Sequence, residues 1–183
     1  MKKFSFSVFF IYFLIFSQSI YAETSNNQNN TNPHKMDNQH LHKLILRIDD
    51  KPKGQAGYWQ IQYKDTPIYI ITDERANRMR IISPIESASS ISKEKLFRMM
   101  QANFDSALDA RYSIAKDRLW SAFIHPLSEL SDEQFYSGLA QTITLVKSYG
   151  DTYSSGALVF KGGDSEKLNQ ETYLDVLRKG LKI

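Results

Sequence analysis

The sequence predicts an α+β domain: an antiparallel sheet of about five strands packed against helices, in the order helix, three strands, helix, two strands, helix. Three observations carry this. Between Trp59 and Ile81, short runs place apolar side chains at every second position, the period of a strand with one buried face. Two longer stretches, behind Ser92 and behind Ser131, repeat apolar residues at helical spacing after a good N-cap. Cysteine is absent, which excludes disulfides, thiolate nucleophiles and iron–sulfur ligation and leaves stability to an ordinary apolar core.

The amino terminus has the arrangement of an export signal. Lys2 and Lys3 precede an apolar run from Phe4 to Phe16, which gives way to Ser17, Gln18 and Ser19 before the small residue Ala22. The run is shorter than the roughly 20 residues a spanning helix needs. Cleavage after Ala22 is therefore expected, with a periplasmic or secreted product; an uncleaved membrane anchor is the alternative. Residues 23–40 form a leader rich in Asn and Gln, almost without apolar side chains except Met36, and too polar to offset the entropy of ordering it. Residues 41–183 are expected to form a single domain.

Export also changes the charge. The chain has 23 bases and 20 acids, and loss of Lys2 and Lys3 leaves a nearly neutral product. No run of positive charge suits a phosphate backbone, so nucleic acid is not an expected partner. His34, His40 and His42 lie close together, but only Asp37 joins them and no frame fixes their geometry, so no metal site is expected.

Each element follows from its own pattern. Leu41, Leu44, Ile45 and Ile48 give a first helix, with Asp37 or Asn38 available as cap. Trp59, Ile61 and Tyr63 alternate with Gln60 and Gln62; Ile68 to Thr72 follows a turn; Met79 and Ile81 then alternate with Arg78 and Arg80. Three short strands with tight links favour an antiparallel meander. Ser92 caps a helix whose Leu96, Met99, Met100, Asn103, Phe104 and Leu108 make one broad stripe, suited to lying across the sheet. Arg111 to Ala115 and Leu119 to Ile124 are two more strands. Ser131 and Gln134 form a capping box ahead of Phe135, Leu139, Ile143 and Val146, with Gly150 as C-terminal cap. Tyr173, Val176, Leu177 and Leu181 suggest a last short helix.

From Leu41 to Gly150 this outline resembles the type III secretion chaperone-like fold, and within it the YbjN-like family. The residues that carry the resemblance are Arg80-Ile81-Ile82-Ser83-Pro84 at a strand end, Leu96, Met100 and Asn103 on a helix, the hairpin over Tyr112 to Ile124, and the Ser131-capped helix. The resemblance implies a non-enzymatic protein that binds a polypeptide, often as a homodimer, without a cofactor. The secretion chaperones are cytosolic and usually acidic, whereas this chain carries an export signal and is near neutral, so a role in type III secretion does not follow.

No catalytic motif is present. His125, before Pro126 at a strand end, is the sole candidate general base, and no motif supplies its orienting partner. The pairs Asp49-Asp50, Asp73-Glu74 and Asp132-Glu133 fit turns and a helix start. Gly150-Asp151-Thr152-Tyr153-Ser154 lacks the glycine pattern of a nucleophile elbow, and Lys161-Gly162-Gly163-Asp164 is too short for a phosphate loop and reads as a hinge. Aromatic residues on the strands are more informative. Trp59, Tyr63 and Trp120 are the candidate partner-binding residues, because an aromatic sheet face turned to solvent marks an interface. Trp59 and Tyr63 share one face while Tyr58 takes the other. An exported chaperone-like binding module is the first reading; an enzyme built on His125 and a membrane-anchored envelope protein are the alternatives.

Overall fold

Helix α1 (Asn38–Ile48) starts where Asp37 accepts the His40 backbone N–H at 2.7 Å, and it buries Leu41, Leu44 and Ile45. In this computed structural model, residues 35–105, 108–149 and 166–181 are described. The signal with its cut after Ala22, the leader up to residue 34 with His34, the Gly150 cap and the hinge from Lys161 to Asp164 lie outside the described residues. Helix α1 begins ahead of the expected Leu41, at Asn38. Met36 is only 3% exposed, and its N–H donates to the Ser128 carbonyl.

Six strands form one antiparallel sheet: β1 (Lys53–Gln55), β2 (Tyr58–Tyr63), β3 (Thr66–Asp73), β4 (Arg78–Ser87), β5 (Arg111–Ala115) and β6 (Arg118–His125), in spatial order β1-β2-β3-β4-β6-β5. The sheet thus has one strand more than the pattern predicts. β1 spans three residues, too short for a period, and Gly54 supports it with φ +100°, a value that a Cβ would strain. β4 continues through Pro84 to a register shift before Ser87, as suits a residue without an N–H to give. Lys116 and Asp117, both at positive φ, make the two-residue turn between β5 and β6.

Helix α3 (Asp132–Lys147) carries the complete capping box and is buried from Phe135 to Tyr136 and from Gly138 to Leu145. It lies between the sheet, where it packs on β4 and β6, and helix α4 (Glu166–Leu181), which also meets α1. Two glycines permit the close approaches. A Cβ on Gly138 would sit 2.7 Å from the Phe123 ring, and one on Gly180 would sit 2.6 Å from the Tyr136 ring. One face of the sheet is therefore covered by helices, with Trp59, Ile61, Tyr63, Ile68, Ile70 and Ile81 at 1% exposure or less.

Helix α2 (Lys93–Asp105) departs from the expected broad stripe. Ser92 caps it through the Lys95 N–H, but only Met99 and Ala102 are buried, while Met100 is 48% and Phe104 76% exposed. The helix does not lie across the sheet. It flanks the outer strand β5, a narrow contact that takes one turn-spaced row of side chains and leaves the next row in solvent.

Candidate functional site

Strand alternation gives the sheet a second face, and among the described residues no helix packs on it. Register sets its contents. One row runs Gln60, Tyr69, Ile82, Ala122, Arg111 across five strands; the next runs Tyr58, Ile71, Arg80, Ile124. Trp120 pairs with Pro84 on one side and Ser113 on the other. Tyr58 is 44% and Ile124 60% exposed, and Tyr69, Ile71, Ile82 and Trp120 are half-buried.

Three aromatic rings link across this face. Tyr58 and Tyr69 have centroids 6.2 Å apart, and Tyr69 meets Trp120 edge-on at 6.4 Å and 72°. Both separations are within the range where ring quadrupoles attract. The Trp120 indole N–H donates to the Ala115 carbonyl at 3.0 Å, so the half-buried ring is held by backbone.

Of the three residues singled out from the sequence, only Trp120 belongs here. Trp59 and Tyr63 do share a face, as alternation requires, but it is the covered one, and each is 1% exposed. The Trp59 indole N–H donates to His42 Nδ1 at 3.0 Å, which ties α1 to β2 and requires that nitrogen to carry a lone pair. The Tyr63 hydroxyl donates to Asp175 at 2.5 Å; burial, then that carboxylate, pushes the phenol pKa far up. Lys64 binds the same carboxylate at 2.7 Å, and its hydrogen bond, followed by that of Tyr63, holds Asp175 below the usual carboxylate range. Lys147 and Lys179 also lie near the Tyr63 ring, and burial pushes the Lys147 pKa down. This cluster joins the β2–β3 hairpin to the end of α3 and the second half of α4.

His125 lines a cleft of about 180 Å³ with Asp109, Phe123, Ile124, Gln134 and Ser137. Its Nδ1 lies 2.7 Å from the Pro126 carbonyl, which can only accept, so Nδ1 carries the proton and donates. The ring stacks on Phe123 at 5.9 Å. Asp109 does not orient it: that carboxylate accepts from the Gln141 amide at 3.2 Å, and the same amide's oxygen accepts the N–H groups of Asp109 and Ala110. A larger cleft, about 490 Å³, opens beside Met36. Three of its polar side chains are engaged in the scaffold, Asp37 as cap, Glu74 on the Asn38 N–H and Asn77 on the Ser128 N–H. Among the described residues no three potential metal ligands converge. His40 pairs with Asp132 at 2.6 Å, while His42, two positions on along α1, turns to Trp59.

Sequence reasoning passes over Tyr69 and the basic side chains of the open face. Arg78 and Arg80 are readable there from their alternation with Met79 and Ile81. Arg111 and Arg118 come alongside only once β6 inserts between β4 and β5, which no local pattern announces. Helix α2 adds Phe97 at 63% exposure to Met100 and Phe104, and the edge residue Ile114 is 48% exposed. The Asn103 side chain donates to the Tyr112 carbonyl at 3.0 Å and accepts its N–H at 2.7 Å.

No family model and no curated protein matches the chain, so the YbjN-like resemblance remains an expectation. Among solved structures the chain is similar to the HopA1–SchA chaperone–effector complex, at 12% identity over 61% of this chain and 98% of that one, with a TM-score of 0.46. It is similar to the ExsC–ExsE complex at 10% identity over 64% and 97%, with a TM-score of 0.47. A third likeness is to the Yersinia pestis type III secretion chaperone SycH in complex with a stable fragment of YscM2, at 13% identity over 60% and 98%, with a TM-score of 0.45.

Proposed function

We propose that this chain is a non-enzymatic, chaperone-like binding module that works outside the cytoplasm and holds another polypeptide on the helix-free face of its sheet. The observation that supports this is the string Tyr58–Tyr69–Trp120, three rings linked in series through Tyr69 on a face that the described helices leave open. Partly exposed aromatics flanked by Ile71 and Ile82 provide a large, stiff contact area at small entropic cost, the character of interface hot spots. Export rests on the N-terminal signal, and mature protein beginning at Glu23 is the expected product, with a chain still starting at Met1 pointing to an anchored form. The same module is proposed to form a homodimer through α2, where Phe97, Met100 and Phe104 make an apolar stripe beside Ile114. Phe104→Asp should then yield a monomer by light scattering at unchanged circular dichroism.

The test of the binding face is photo-crosslinking in cells. A benzoylphenylalanine replacing Tyr69 should trap a polypeptide, whereas the same probe at Leu174, exposed on α4, should not. Trp120→Ala should weaken capture by about 2 kcal/mol or more, and His125→Ala should leave it nearly intact. Loss of function on replacing His125, with Trp120 dispensable, would turn the search to catalysis in the cleft beside that imidazole.

A further inference from the structure

The open face is basic in a chain that is nearly neutral once its signal is gone. Reading outward positions from the register, Lys53, Arg78, Arg80, Arg111 and Arg118 all belong to it, opposed at the regularly paired positions by Asp73 across from Arg78. Two further acids stand near Arg118: Glu86, at the irregular end of β4, pairs with Lys95 of α2, and Asp117, in the β5–β6 turn, accepts from the Ser87 hydroxyl. Asp132, Glu133, Glu171 and Asp175 are on α3 and α4, on the other side of the sheet. Among the described residues none of the four guanidiniums takes part in an ion pair, although Asp73 is within one strand spacing of Arg78. Four guanidiniums outside any ion pair, set around an aromatic string, are not what solubility alone asks of a surface, for which mixed signs suffice.

Resting on the polypeptide-binding reading above, we infer that the partner segment is acidic, with Asp or Glu side chains placed on both sides of an apolar or aromatic centre. Arginine favours this chemistry, because its planar fork bonds a carboxylate through two parallel N–H groups and its weak hydration allows it to sit beside aromatic rings. The spacing agrees with it. Arg80 shares the register row of Tyr58 at one end of the ring string, and Arg118, opposite Ser87, lies one row beyond Trp120 at the other. Along β6, which runs without a bulge, Ile124 beside Arg80 and Arg118 are six steps apart, roughly 20 Å at strand rise. An extended segment of similar length crosses the rings and meets a guanidinium at each end. The attraction between such fields also speeds encounter and excludes basic partners.

The probes are two synthetic 12-residue peptides with identical Leu and Phe content, one carrying four Glu and the other four Lys, together with a 12-nucleotide oligothymidylate, each labelled for fluorescence anisotropy against the full chain. The Glu peptide should bind at least about tenfold more tightly than the Lys peptide at low salt, with the gap closing as salt rises. The pair Arg80→Glu and Arg118→Glu should lose about tenfold or more for the Glu peptide, while Arg98→Glu on α2 should change nothing, all with circular dichroism intact. Equal binding of both peptides, indifferent to the arginines but dependent on Trp120, would overturn the acidic partner and leave the binding face standing. Failure of both peptides, with no crosslink from position 69, would overturn both readings. Arginine-dependent binding of the oligonucleotide alone would identify the face as a nucleic-acid platform and overturn both as well.

Discussion

The two faces of this sheet draw on nearly the same residue types and meet opposite fates. On the covered face Trp59, Ile61, Tyr63, Ile68 and Ile70 are sealed beneath the helices; on the open face Tyr58, Tyr69, Ile71, Ile82 and Trp120 occupy intervening positions of the same sheet. The difference lies in the polar companions. Each buried aromatic hands its one polar group to a helix, Trp59 to His42 and Tyr63 to Asp175, whereas the open face intersperses rings with guanidiniums that form no ion pair with a described helix residue. Polar partners for buried rings serve assembly of the domain. Guanidiniums outside any ion pair beside partly exposed rings leave bonding capacity for something else.

This contrast can be broken most sharply by its two tryptophans. Trp59→Ala should cost about 3–5 kcal/mol in urea unfolding, from the cavity and the lost indole bond to His42, while Trp120→Ala should cost only about 1 kcal/mol. Equal losses would mean that both faces are structural. Next in size is Gly138→Ala. Alanine is the better helix former by about 1 kcal/mol; here its Cβ meets the Phe123 ring, so a net loss of about 1–3 kcal/mol is expected and a gain in stability would show that α3 packs more loosely on the sheet. Ser131→Ala should remove about 1 kcal/mol through the capping box, without altering peptide binding on the far side of the sheet. The smallest effect is a pH dependence at Asp175. Its folded pKa is depressed, so its contribution is complete above the ordinary carboxylate value and disappears as pH falls through the lower folded value. Solvent screens this partly exposed group, so Asp175→Asn should only slightly flatten the acid side of a stability curve, below the ordinary carboxylate range.

The covered face is largely legible in the amino-acid sequence. Trp59, Ile61 and Tyr63 alternate with glutamines, and Ser131 with Gln134 announces α3, because local chemistry decides those features. Which alternate set meets the helices is a tertiary matter. Trp59 and Trp120 look alike as sequence, each between strand neighbours of the opposite parity, and only the placement of α3 separates them. Helix α2 misleads for a related reason. Met99 on one side and Phe97, Met100 and Phe104 on another make it apolar over most of its circumference, so spacing does not choose the row that packs. The arginines belong to three strands, and their convergence on one face depends on β6 lying between β4 and β5.

Asn103 has a consequence for what kind of neighbour the molecule accepts. Its side-chain amide occupies both backbone groups of Tyr112 on the outer margin of β5. At the opposite margin β1 is three residues long and bends at Gly54. Another strand seeking to zip onto either side finds an interrupted or very short ladder, the devices by which sheets avoid templating their own growth. Among the described residues the sheet is thus finite in the hydrogen-bonding direction and open on one face perpendicular to it. Neighbours are offered side chains instead of backbone, so selection among them follows chemical character and not the readiness of a segment to become one more strand.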